Sequence, residues 1–205
     1  MTFHAPPKGK TISDDYMTPA AAWEEIQPHL PKDMLFYEPF HGDGSSFRWM
    51  TQHLGEENVV TQHGDFFKVS KLRERYRYIP ELQDFERFIK PLGKSLQDRH
   101  TGVCVLSNPP FSFCKEIFVK LQQEQTPFIL LLPTQKLSTK YFREMFSSED
   151  DCGVFLPKQR YKFIRKNWNG ESYEEDPLWS TTTNSKQDTC WICWRTGLFK
   201  DGKNM

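Results

Sequence analysis

Apolar residues recur along this chain in two rhythms. Largely apolar runs at 34–40 (MLFYEPF), 103–111 (VCVLSNPPF) and 127–133 (PFILLLP) read as strands, as do those at 58–62, 153–157 and 188–197. The run at 127–133 has no polar face, as expected of a strand covered on both sides. Between the runs the spacing turns helical. Residues 20–27 form a helix that stops near Pro28, with Asp14 as a candidate cap. Residues 45–54 place Phe47, Met50 and Leu54 on one face, and 114–123 and 136–146 follow the same rule. Strand and helix in alternation predict an α/β fold with a mostly parallel central sheet and helices on both faces. Residues 1–13, rich in Pro, Gly and Lys, read as a flexible leader to a single domain over 14–200. The polar stretch 68–100, broken by Pro80, Pro91 and Gly93, reads as a helical excursion, and 166–187 as loop.

Composition narrows the class. A chain of 205 residues fits one domain and buries a core without disulfides. Five cysteines without framework spacing point to a reduced, intracellular setting, cytoplasmic or nuclear. The opening MTFHAPPKGK lacks the apolar stretch of a signal peptide, and the longest apolar run is too short for a bilayer, so no membrane partner is expected. Basic and acidic residues balance at 27 each, which argues against coating nucleic acid by bulk attraction but leaves room for a local basic patch. Cys190-x-x-Cys193 has no second pair nearby. On a strand its side chains point to opposite faces, so both read as packing residues rather than zinc ligands.

In open parallel sheets, ligands bind beyond the carboxyl ends of the strands at the point where strand order reverses. Two segments fall at such ends. The first is Glu38-Pro39-Phe40-His41-Gly42-Asp43-Gly44. Gly42 and Gly44 let the backbone approach a ligand, but Phe47 stands where a dinucleotide site needs its third glycine, and no Gly-Lys-Ser/Thr follows. A phosphate ligand and a nucleotide-dependent oxidoreductase are therefore disfavoured. Glu38 suits a cationic ligand group, the alternative being a solvated carboxylate in an ordinary turn. His41 either lines that pocket or is an exposed turn histidine. The second segment is Asn108-Pro109-Pro110-Phe111. Its prolines remove two donors and leave acceptors beside a ring. Acceptors at this place would bind both N–H bonds of a planar amine and stabilise the positive charge that develops when its nitrogen is alkylated. The alternative is a Pro-Pro turn that merely ends a strand.

Asn108-Pro109-Pro110-Phe111 after an apolar strand resembles the catalytic motif of S-adenosylmethionine (SAM)-dependent amino-group methyltransferases. Glu38 to Gly44 resembles their SAM-binding glycine motif, which would assign Glu38, Phe40, Gly42 and Gly44 to the cofactor. Asp15-Tyr16-Met17-Thr18-Pro19 looks like the Tyr-x-Thr-Pro element of phage and viral DNA N6-adenine methyltransferases, implying that Tyr16 and Thr18 contact the methionine end of SAM. Gly64-Asp65-Phe66-Phe67 resembles the family's Asp-Phe-Phe segment, implying that Asp65 reaches the SAM adenine and Phe66 packs on it. These four motifs stand in the family's order over residues 15–111. The resemblance implies a Rossmann-like class I methyltransferase acting on an exocyclic amino group, foremost N6 of adenine in DNA or RNA, with DNA favoured. Guanine N2, a protein glutamine amide, or a SAM-binding module without catalysis are the alternatives. The sequence departs from the family after the second strand, where Gln62 and His63 replace the usual ribose-binding acid.

Lys158, Arg160, Lys162, Arg165 and Lys166 form a basic cluster interleaved with Tyr161, Phe163 and Trp168. Cations and rings together suit an unpaired or flipped nucleic-acid substrate, with Lys158, Arg160 and Lys162 as phosphate contacts; a solvated hairpin is the alternative. The run Lys71, Arg73, Arg75 and Arg77, with Tyr76 and Tyr78, reads as a solvated helix face. No separate target-recognition domain stands out, so specificity is low or comes from a partner.

Overall fold

The structure, a computed structural model, describes residues 16–40, 42–60, 102–148, 151–168, 173–175 and 188–199. The leader, Asp14, His41, Gln62, His63, Asp65, Phe66 and the excursion 68–100 lie outside the described residues.

Six strands form one sheet: β2 (Met34–Tyr37), β3 (Val59–Val60), β4 (Gly102–Ser107), β5 (Phe128–Pro133), β6 (Cys152–Phe155) and β9 (Thr189–Trp194). Their order is β3-β2-β4-β5-β9-β6. The first four run parallel, and β9 runs antiparallel to both its neighbours. Side chains along the central strands alternate between two core layers, as the pleat requires. Phe36, Leu106, Ile129, Leu131, Trp191 and Cys193 enter the first layer. Tyr37, Val105, Leu130, Leu132, Cys190 and Ile192 enter the second. Cys190 and Cys193 thus lie on opposite sides of the sheet, as their spacing implies.

Helices α1 (Ala20–Ile26) and α2 (Ser45–Leu54) cover the first layer through Trp23, Ile26, Trp49 and Met50. Helices α3 (Cys114–Gln123) and α4 (Lys140–Ser148) cover the second through Ile117, Phe118, Leu121, Phe142 and Met145. The protein is therefore α/β with helices on both faces of a mostly parallel sheet. Among the described residues, no helix is long and apolar enough to cross a membrane.

Several local expectations are corrected. Helix α1 starts at Ala20, as expected, but the residue before it is Pro19, which caps it with no side-chain bond, in place of the expected cap Asp14. The strand of the 103–111 run ends at Ser107, just ahead of the two prolines expected to stop it, because Pro109 and Pro110 have no N–H for the ladder. The helix expected over 136–146 is split: a 3-10 turn, Thr134–Ser138, ends at extended Thr139 (ψ 152°) before α4 begins. Part of the expected loop 166–187 is sheet. A second, three-stranded antiparallel sheet joins β1 (Tyr16–Met17), β7 (Ile164–Trp168) and β8 (Tyr173–Glu175), with β7 in the middle. The sequences of β7 and β8 are polar and do not alternate cleanly, so their backbone pairing is what defines them as strands.

Candidate functional site

The strand order reverses between β2 and β4. From β2 the chain passes through α2 on the first face to β3, whereas from β4 it passes through α3 on the opposite face to β5. A crevice opens at such a reversal, beyond the carboxyl ends of the two strands. Glu38 follows β2 there, and Asn108 follows β4.

Glu38 is 1% exposed. Its Oε1 accepts the Phe40 N–H at 2.9 Å and the Ser107 hydroxyl at 2.5 Å. Its Oε2 is buried with no hydrogen-bond partner among the described residues. Burial pushes the carboxyl up to about 8, although the Ser107 and Phe40 bonds pull the other way. A buried carboxyl with one satisfied and one orphaned oxygen is costly unless a donor or cation meets it.

Asn108 repeats the arrangement. Its amide Nδ2 donates to the Tyr16 carbonyl at 3.4 Å, which identifies Oδ1 as the remaining acceptor. That oxygen is also buried and unpartnered among the described residues. Pro109 is buried, and the Pro110 carbonyl already accepts the Phe113 N–H at 3.1 Å. Phe111 opens a single 3-10 turn into α3 and is half-buried against the second core layer.

The glycine turn follows Glu38 directly and packs on β1. Gly42 (φ +51°) and Gly44 (φ +78°) both adopt the left-handed region. A Cβ on Gly42 would come to 3.0 Å from Met17 Sδ, so β1 packs directly on the turn. Between the glycines, Asp43 accepts the Ser45 N–H at 2.9 Å and Lys166 Nζ at 2.7 Å. Burial alone would raise the Asp43 carboxyl, but the bonds from Lys166 and Ser45 outweigh it and hold the group below its usual range.

Three of the four motifs therefore converge: the Tyr16–Thr18 element, the turn from Glu38 to Gly44, and Asn108 to Phe111. Thr18 is buried, Tyr16 packs on the first core layer, and Phe40 packs half-buried on the second. The fourth motif, with Asp65 and Phe66, lies outside the described residues.

The basic segment divides. Lys158, Arg160 and Lys162 are exposed. Arg160 is held by Asp188 at 2.6 Å, and Lys158 lines a groove of about 540 Å³ with Glu24, Glu25, Pro28, His29 and Phe155, none of them part of the convergent motifs. Tyr161 and Phe163 are not available for stacking on a ligand. Both are core residues, and the Tyr161 hydroxyl donates to Glu25 at 2.7 Å. Alternation along 160–163 sends the cations outward and these rings inward.

Ser107 and Lys166 acquire roles that motif reading passed over. A hydroxyl at the end of an otherwise apolar strand was a visible signal for Ser107; its partner depends on strand register, which sequence does not display. Compared with known proteins, the chain matches no family model and no curated sequence.

Proposed function

We propose that the protein is a Rossmann-like, SAM-dependent methyltransferase acting on an exocyclic amino group, foremost N6 of adenine in nucleic acid. The observation that carries this reading is the pair of buried acceptors, Glu38 Oε2 and Asn108 Oδ1, that have no partner among the described residues and lie at one strand-order reversal. A site built from acceptors takes donors. SAM supplies an electrophilic methyl group and a cationic ammonium. Glu38 fits the ammonium: a cation at its second oxygen would offset the burial that holds the carboxyl up at about 8 and favour the carboxylate. Gly42 and Gly44 supply the left-handed backbone that this turn requires.

On the other side, Asn108 Oδ1 accepts an N–H of the substrate amine. That bond draws the nitrogen lone pair out of conjugation and favours the charge that nitrogen acquires as the N–CH3 bond forms and the methyl–sulfur bond breaks; S-adenosylhomocysteine would leave, and the nitrogen would release its extra proton to solvent. Phe111 offers an apolar wall for a planar base. Lys158 and Lys162 remain as exposed cations for a nucleic-acid backbone, whereas Arg160 must first leave Asp188.

The test is transfer from tritiated-methyl SAM to DNA, RNA and protein pools, followed by identification of the modified nucleoside or residue. N6-methyladenine is the expected product. Label appearing only in guanine or in a glutamine amide would move the substrate, and no label in any pool would contradict the reading.

A further inference from the structure

Lys166 belongs by sequence to the basic cluster, yet its charge is already engaged. Its Nζ lies 2.7 Å from Asp43 Oδ2, with the two side chains 23% and 9% exposed. The same carboxylate receives the Ser45 N–H at the entry to α2, so one residue governs both the helix start and the contact to β7. Next to Lys166, Arg165 pairs with Tyr16 of β1. Strand β1 then touches two of the convergent motifs: Tyr16 O receives the Asn108 amide, and Met17 packs on Gly42. The three-stranded sheet is thereby fastened to the glycine turn and to the acceptor asparagine at once.

We propose that Lys166 is a positioning residue for the glycine turn, holding the loop that receives the cofactor, rather than a contact to nucleic-acid phosphate. The inference rests on the methyltransferase reading of the site. An ammonium neutralised by a largely buried carboxylate adds little attraction for phosphate. Removing it leaves the Asp43 charge without its cation and loosens the turn between Gly42 and Gly44.

The experiment uses the full chain with SAM and an adenine-containing single-stranded oligonucleotide. Wild type, Lys166→Met, Lys166→Arg and Asp43→Asn are compared by calorimetry and by steady-state kinetics. Lys166→Met should weaken SAM binding about tenfold, raising KM for SAM more than it lowers kcat. It should leave oligonucleotide affinity and its salt dependence unchanged. Lys166→Arg should restore most of the loss. Asp43→Asn, which retains an acceptor for Ser45, should reproduce the Met phenotype, and the double variant should add nothing further. Unchanged SAM affinity in both Lys166→Met and Asp43→Asn overturns the proposal. So does weaker oligonucleotide binding with a salt slope reduced by about one, the mark of a lost phosphate contact. If wild type itself binds no SAM, the methyltransferase reading fails, and this proposal with it.

Discussion

The Ser107 hydroxyl donates a 2.5 Å hydrogen bond to Glu38 Oε1, joining the ends of β2 and β4 across 69 residues of chain. Both residues are buried, and the bond engages Oε1 while Oε2 has no partner among the described residues. Ser107→Ala leaves Oε1 with the Phe40 N–H alone and removes one of the two contacts that oppose the upward shift of Glu38. We expect a stability loss of about 1–3 kcal/mol, typical of a buried polar group deprived of its partner. Denaturant unfolding measures it; an unchanged midpoint would show that the hydroxyl carries no stability.

Glu38 also makes a signed pH prediction. Its folded value of about 8 lies above the ordinary 4.5, so the folded protein holds a proton that the unfolded chain releases between those values. The stability this proton confers is complete below about pH 4.5 and is lost as pH rises to about 8. Glu38→Gln cannot titrate, so the stability of wild type relative to this variant should fall across that window and level off above it. Unfolding midpoints of the two proteins at a series of pH values check this; parallel curves would contradict it.

Gly153 faces the ring of Phe199, and a methyl group at position 153 would overlap it. The ring cannot move away freely, because Asp151 accepts the N–H groups of Gly197 at 2.6 Å and Phe199 at 3.2 Å. Gly153→Ala should therefore cost about 1–3 kcal/mol through overpacking. Adding Phe199→Ala relieves the overlap, so the double variant should lose less than the two single losses combined. Strict additivity in urea unfolding would show that the two positions do not press on each other.

The cysteines should be chemically quiet. Cys104, Cys114, Cys190 and Cys193 are buried, and burial raises the thiols of Cys190 and Cys193 to about 12. A maleimide at neutral pH should label only half-buried Cys152 in the native protein and all five cysteines after unfolding. Rapid native labelling of Cys190 or Cys193, read by peptide mass, would contradict the packing of the central sheet.

Elements with strong local signals were legible in the sequence. Helices α2 and α3 begin and end where their apolar spacing places them, and β5 is as fully buried as its run of leucines implies. The opposite orientations of Cys190 and Cys193 follow from strand parity alone. What escaped depends on tertiary pairing. IRKNW and YEE become strands only through β7's pairing with β1 and β8. Tyr161 and Phe163, read as stacking rings among cations, are core residues because the segment alternates inward and outward. In the site, the motifs were legible one by one, but the Ser107–Glu38, Asn108–Tyr16 and Lys166–Asp43 contacts depend on register between distant segments.

The two orphaned acceptors are assigned separable tasks, and SAM binding by calorimetry to wild type, Glu38→Gln and Asn108→Ala tests that assignment most directly. Wild type should bind SAM. Glu38→Gln should lose roughly ten- to a hundredfold in affinity, as expected for a hydrogen bond to a charged group. Asn108→Ala should bind almost as wild type does while transferring no methyl group to adenine. Failure of wild type to bind SAM, or full affinity in Glu38→Gln, would contradict the account.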